Sequence, residues 1–577
     1  MKRGMMKTRL VLSMVVAGML GASIARGEDA SAKPKADVLF THGNVYTGVA
    51  VVSSFKMTKR ADAIAVRDGR FEEVGDLNEV IKLRGPQTQV IDLGGKFVMP
   101  GFNDAHLHLA SAGLELLNVN LLGVKSIDEF RERLRAKADA AAPGDWIVGA
   151  GWDETLWPVK TPPTRFDLDE VVTNHPVFLA RVDGHSAVAN ARALQLASIT
   201  LASRDPRGGK IERDESGQPN GLLRDTAMKA VQNVIPEPTH DRRRQAMENA
   251  LADLARWGIT SAQDNSSWED FRVLEELEKD GKLTARVSEW LAFDDPVATL
   301  EEHRKAHAGS DEMLAKGMLK GFMDGSLGSH SAALLEPYAD DAKNTGLPRY
   351  DQAKLDEMTK ERMLAGFQIG FHAIGDKAVQ MALDAFAVGE KAAKEKKVKA
   401  ANGGEDFRPR IEHAQVTTPM QILKFKDLKV VASMQPCHLL TDMKWAETRL
   451  GQKRAAHSYA WADFLKRGVP LAFGTDYPVE PVNPFRGLYA ATTRKDERGK
   501  MEYYPEEKIT IDQAIAAYTT GSAFAEFAEK DKGLIVPGML ADFVVLDRDP
   551  TAVDAQKLLG TRVLRTVVGG RTVWEGK

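Results

Sequence analysis

Short β-branched runs open and close this chain, and between them apolar runs of strand length alternate with amphipathic helical stretches. The opening runs ADVLFTHGNVYTG, ADAIAVRDGRFEEVG and TQVIDLGGKFVMPG are broken by turns rich in Gly, Asn and Asp, and predict antiparallel strands joined by hairpins. A matching set, DKGLIVPGMLADFVVLDRDP and TRVLRTVVGGRTVWEGK, ends the sequence. Strand-rich ends around a different middle predict one small β-sandwich domain made of residues 36–99 and 528–577.

From 100 to 527 the pattern changes. DAHLH, ITSAQD, GMLKGFMD, FQIGFHAIG, RPRIEHAQ, VVASMQP and VPLAFGTD read as strands, while Ser126-Ile-Asp-Glu129 and Thr510-Ile-Asp-Gln513 have the spacing of helix capping boxes. RRRQAMENALADLARWG is a further helix, stopped by Gly258. Repeated strand–helix units over about 400 residues predict an α/β fold of the parallel (β/α)8 TIM-barrel type with insertions. The competing architecture, a doubly wound sheet, is disfavoured because the glycine-rich phosphate loop that often marks one is missing. Residues 145–225 hold Trp146, Trp152, Trp157 and several Pro and Gly, too much for a barrel loop; an inserted, lid-like region is expected there, its tryptophans hinting at an apolar substituent on the substrate. The charged run at 389–406 reads as a solvated helix end and loop.

Composition narrows the class. At 577 residues the chain exceeds one ordinary core, and its hydrophobic content of 43% and charged content of 28% suit a globular protein. Lys2, Arg3, Lys7 and Arg9 precede the apolar run LVLSMVVAGML and small residues at Ala22–Gly27, the layout of a cleavable signal peptide over 1–27. That run is too short to span a bilayer, so export to the periplasm or medium is expected, with no membrane attachment after cleavage. The segment carries five positive and no negative charges, so the net charge of -3 becomes -3 - 5 = -8. An acidic chain argues against a nucleic-acid partner and for a small-molecule substrate. The sole cysteine, Cys437, excludes an intrachain disulfide. A homodimer is the default assembly.

Candidate chemistry concentrates at strand ends. In DAHLH, strand alternation puts Asp104, His106 and His108 on one face, a two-histidine metal clamp with Asp104 placed to orient a ring nitrogen. His372, His413 and Asp476 end three further strands, where barrel active sites lie. Each alone has the ordinary reading of a satisfied buried polar group; together they point to metal. Lys320 lies inside an apolar strand, where an ammonium is costly unless it is paired, with Asp324 for example, or converted by carbon dioxide to a carbamate.

The ordered motifs PGFNDAHLH, VDGHSAVANARAL, KGFMDGSLGS, FHAIGDKAV, RIEHAQ, SMQPCH, GTDYPVEPVNPF and PGMLADFVVLD cover nearly all of residues 36–577. In them the chain resembles the amidohydrolase superfamily, and within it the YtcJ-like, amidohydrolase-3 branch related to N-substituted formamide deformylase. The resemblance implies a metal-dependent (β/α)8 hydrolase with one or two Zn2+. His106, His108 and Asp476 would hold the more buried ion, His372 and His413 the second, and a carboxylated Lys320 would bridge them. It also implies pocket roles for His185 and His438. Asp225, in GLLRDTA, stands where relatives tend to have Glu, which puts a pocket role for it in doubt.

The expected reaction is hydrolysis of a carbon–nitrogen bond other than a peptide bond, in an amide, N-substituted formamide or cyclic amide, with Asp476 as general base. Ester or lactone hydrolysis and isomerisation on the same site are the alternatives within the fold; a non-catalytic exported metal- or solute-binding protein is the alternative outside it. Cys437 beside His438 lacks the orienting partner a nucleophile needs.

Overall fold

A computed structural model describes residues 34–49, 60–306, 312–400 and 402–576; the signal-peptide segment lies outside them. Its centre is an eight-stranded, all-parallel sheet whose strands follow one another in sequence order: β1 (Phe102–Leu107), β2 (Ile259–Asp264), β3 (Arg286–Ala292), β4 (Leu314–Phe322), β5 (Ile369–Ala373), β6 (Arg410–His413), β7 (Val431–Met434) and β8 (Leu471–Phe473). Between β1 and β8 the sheet is drawn together just beyond the strand ends, where Asp476 N donates to His106 O at 2.7 Å and His108 N to Tyr477 O at 2.8 Å. The result is a nearly closed barrel.

Helices cover it through faces that the sequence patterning makes apolar. Helix His240–Arg256 buries Met247, Ala250, Leu251 and Leu254 and ends at Gly258, whose φ of +77° suits glycine. It lies close against helix Leu109–Leu117, because Gly113 has no side chain there: an added Cβ would stand 2.0 Å from the Ala246 carbonyl oxygen. The predicted caps form. Thr510 and Gln513 satisfy one another's backbone amides. Ser126 accepts from Glu129 N, but the Glu129 carboxylate takes Lys125 N in place of the Ser126 amide. The charged run beyond Glu395, the end of helix Asp376–Glu395, is largely exposed.

The ends of the chain build two further sheets. Strands Arg70–Gly75, Ala63–Arg67, Val38–Thr41 and Gln89–Asp92 make one. Strands Arg571–Glu575, Val563–Val568, Phe543–Leu546, Phe97–Pro100, Asn44–Tyr46 and Arg60–Ala61 make the other. They share a core that includes Phe40, Ile64, Phe71, Val98, Phe543 and Val567, with Phe40 edge-on to Phe543. The hairpin expectation holds only in part. Asp68-Gly69 and Gly569-Gly570, all at positive φ, make tight hairpins. His42-Gly43 and Gly94-Gly95 instead carry the chain from one sheet to the other, and Val38–Thr41 pairs in parallel with Gln89–Asp92. A left-handed turn supplies the reversal but not the pairing; burial of both inner faces decides that.

Between β1 and β2 the chain makes a separate six-stranded sheet, in the order Gly209–Arg213, Pro219–Asp225, Ser186–Ala189, Val177–Arg181, Ile147–Trp152, Val119–Asn120. This inserted sheet begins at Val119 and has its own apolar core, where Phe130 and Leu134 of helix Ile127–Asp139 meet Trp152 and Trp157. Both indoles are buried and donate to backbone, Trp152 to Leu179 O and Trp157 to Val124 O. These tryptophans are packing, so they carry no hint about the substrate.

Candidate metal centre and active site

The carboxyl ends of the barrel strands bring together His106 from β1, His108 just past it, Lys320 from β4, His372 from β5, His413 from β6 and Asp476 after β8. His438 joins them from helix Pro436–Asp442, which follows β7. Two of these residues sit in left-handed backbone, His413 at φ +73° and Asp476 at φ +59°, a conformation that non-glycine residues hold only where the surroundings enforce it.

The hydrogen bonds behind the rings fix which nitrogen faces the centre. His108 Nδ1 lies 3.1 Å from the Asn265 carbonyl oxygen, which can only accept, so Nε2 keeps its lone pair for the site. His106 Nδ1 is held by Glu412 Oε2 at 2.8 Å, His413 Nδ1 by Gln435 Oε1 at 2.8 Å, and His372 Nε2 by Gly325 O at 3.1 Å. Converging lone pairs then meet a carboxylate. Asp476 Oδ1 is 3.0 Å from His108 Nε2 and 3.7 Å from His106 Nε2, and Asp476 Oδ2 is 3.5 Å from His438 Nε2.

Acceptors aimed at one another in a buried site are relieved by a cation. The nitrogen and oxygen donors suit a divalent ion such as zinc. Two trios have their donor atoms within 4.8 Å of one another: His106, His108 and Asp476, and His413, His438 and Asp476. The second contains His438, which the sequence reading placed in the substrate pocket. His372 stands beside it, its ring 4.4 Å from that of His413.

Electrostatics keep the set ready to bind. Burial, reinforced by the Lys320 charge, pushes His106 down to about 4, and burial takes His413 well below the usual histidine range. Burial alone would raise Asp476, but the histidines around it, His106 foremost, hold it well below the ordinary carboxylate range, so it stays ionised. Lys320 is 3% exposed, between the rings of Trp290 and Phe322, with Nζ 3.0 Å from His106 Nε2, and burial brings it down to about 8. It is not paired with Asp324, whose carboxylate accepts the amides of Ala333, Ile374 and Gly375.

Two expectations are revised, the strand alternation and the role of Asp104. Strand β1 slips register against β2 between Ile259 and Ser261 and again between Ala262 and Asp264, so simple alternation fails across DAHLH. Asp104 accordingly orients no ring; it accepts from the amides of His106 and Thr475 and from the Thr475 hydroxyl, binding β1 to the segment after β8. His185 and Asp225 pair with each other, Nδ1 to Oδ1 2.9 Å, on the inserted sheet, with side chains 79% and 52% exposed. Cys437 is buried, its thiol pushed well up by burial and facing Thr475 O, which excludes a ready thiolate.

Other members of the centre escaped the sequence reading. Buried Arg410 donates to Glu412, Ala105 O, Ser433 and Gln263, and so holds the carboxylate that holds His106. Arg410 and Glu412 stand two apart in the buried strand that ends in His413, a period-2 charged pair that could have been read. Burial alone would raise Glu412, but the Arg410 charge and His106 bring it to about 2. Strand β3, which carries Glu289 and Trp290, was absent from the predicted strands because RVSEWLA mixes charge into its apolar run.

Residues 89–574 match the amidohydrolase family. The chain is 31% identical to the protein YtcJ of Bacillus subtilis (strain 168) over 92% of this chain and 99% of that one. It is 26% identical to the N-substituted formamide deformylase of Arthrobacter pascens, over 88% and 94%. The crystal structure of an uncharacterized metal-dependent hydrolase from Pyrococcus furiosus superposes with a TM-score of 0.72 at 31% identity, covering 89% of this chain and 99% of that one.

Proposed function

The chain belongs to the amidohydrolase family and is one of its metal-dependent hydrolases; on that premise we propose that it cleaves the carbon–nitrogen bond of an amide, N-substituted formamide or cyclic amide, with Asp476 as general base. The observation that carries the reading is the Asp476 carboxylate, ionised and within 3.7 Å of the inward-facing nitrogens of both His106 and His108. His106, His108 and Asp476 would hold one zinc ion, and His413 with His372 or His438 a second. Bound zinc supplies Lewis acidity and lowers the pKa of water from about 16 toward 7. Asp476 takes the proton of the attacking water and returns it to the leaving nitrogen, so one group serves both halves of the reaction. His438, with Nε2 aimed at the carboxylate, is placed to donate to the carbonyl oxygen as it gains charge. Neutral Lys320 Nζ can add to carbon dioxide, forming an N–C bond and releasing a proton, and the resulting carbamate would give the centre a further anionic group to help hold its metal.

Likeness to a formamide deformylase supports the substrate class, and the N-terminal charge pattern supports export. A small-molecule substrate and a dimeric assembly complete the reading. His185 and Asp225 are assigned to substrate contact through the exposed ring. The test is a screen of purified, zinc-loaded protein against N-formyl amines, N-acyl amines, cyclic amides and esters. Turnover of at least one amide class above the esters is expected. Turnover of esters alone would overturn the carbon–nitrogen assignment.

A further inference from the structure

Behind His108, on the side away from Asp476, two carboxyl groups are buried against one another. Asp264 ends β2 and Glu289 lies on β3, and the two are partners in the parallel register of those strands. Neither has measurable exposure. Each has one oxygen satisfied by backbone: Asp264 Oδ1 accepts from Leu109 N at 2.7 Å, and Glu289 Oε1 from Ser266 N at 3.1 Å. The other two oxygens, Asp264 Oδ2 and Glu289 Oε2, have no donor among the described residues. Asp270, the next acid near them, is taken up by Arg243.

Two ionised carboxylates side by side without water would repel strongly and leave both oxygens unsatisfied. One proton between them removes both costs: the protonated acid donates, the carboxylate accepts, and the pair carries a single negative charge. Burial and mutual repulsion both act to keep the Glu289 proton on.

The pair stands where it sets the position of a ligand. Asp264, Asn265 and Ser266 wrap the start of the helix that follows His108. Asp264 takes Leu109 N, the Asn265 carbonyl takes His108 Nδ1, Asn265 N donates to Leu107 O, and Ser266 Oγ takes Ala110 N. Glu289 anchors the same segment through Ser266 N. We propose that Asp264 and Glu289 share one proton as a carboxylic acid–carboxylate pair, and that this pair is a positioning device that holds His108 in place for its metal. The second half rests on His108 being a metal ligand.

The proton is read by infrared spectroscopy on the full chain, as the C=O stretch of a buried carboxylic acid that distinguishes the parent from Glu289→Gln in their difference spectrum at neutral pH, a measurement that needs neither substrate nor metal and in which other protonated carboxyls, Glu390 among them, cancel. The band is expected in the parent protein and is expected to be lost in Glu289→Gln. That variant keeps a donor to Asp264 and is expected to retain parental zinc affinity. Glu289→Leu removes the donor and leaves Asp264 a lone buried carboxylate; its zinc affinity is expected to fall by about 10–100-fold, the usual cost of losing support behind a ligand. A difference spectrum between the parent and Glu289→Gln with no such band would overturn the shared proton. Should Glu289→Leu fail to fold, a Glu289→Gln protein that binds zinc tenfold or more weakly would overturn the positioning role. Failure of the hydrolase reading would show only in turnover and would leave the band and the zinc affinities as stated.

Discussion

His108 Nε2 and Asp476 Oδ1 meet at 3.0 Å across the seam of the barrel, from the segments that follow its first strand and its last. The sequence separates them by 368 residues. Both atoms are acceptors, and the contact makes sense only around a cation or a proton.

Asp476→Asn is expected to lower kcat by about 10²–10⁴-fold, the usual worth of a positioned base, with the thermal transition of the metal-free protein little changed. Amide turnover at the parental rate would refute a catalytic role for this residue.

Removing metal by dialysis against a chelator is expected to lower Tm, and zinc to restore it. Free zinc at 100 times its Kd stabilises the native state by about 2.7 kcal/mol if only that state binds it. Calorimetry with and without added zinc checks this, and unchanged unfolding would argue against a metal in the native site.

Glu412→Gln removes the partner of buried Arg410 and is expected to cost about 3–5 kcal/mol, measured by denaturant unfolding. The pH dependence has a definite sign. The folded value near 2 lies below the ordinary 4.5, so Glu412 stabilises the fold above pH 4.5 and loses that contribution as the pH falls toward 2. The Gln variant should show a shallower loss of stability in that window.

Glu390, on helix Asp376–Glu395, has the opposite sign. Burial, with the Asp406 charge, raises it from 4.5 to about 7, so the fold loses stability as the pH rises from 4.5 through 7. Glu390→Gln is expected to raise Tm at pH 8 and leave it unchanged at pH 4, by scanning calorimetry at both values.

Cys437 is expected to resist alkylation in the folded protein and to react once the chain unfolds, because its thiol is buried and held protonated. Cys437→Ala should keep kcat. Rapid labelling of the native protein, followed by mass spectrometry, would contradict the buried placement.

Much of this was legible in the sequence. Seven of the eight barrel strands announce themselves as apolar runs, and five of them deliver a histidine, the lysine or Asp476 at or near the carboxyl end, where a barrel places its chemistry. What stayed hidden has a common cause. Glu289 beside Asp264 and the Asn265 carbonyl behind His108 both act through partners on or after a neighbouring strand, and a single strand read alone shows only a charge in an apolar run. The passage of His42-Gly43 and Gly94-Gly95 between sheets was invisible for a related reason, since a turn motif does not name the strand it pairs with.

The seam also dictates an order of events in the life of the protein. His106 and His108 leave the ribosome long before Asp476, yet either half of the centre is incomplete without the other. No ion can be caged until the last strand has been laid against the first. The metal that the finished protein carries is therefore chosen in whichever compartment the chain completes its folding, from the ions available there.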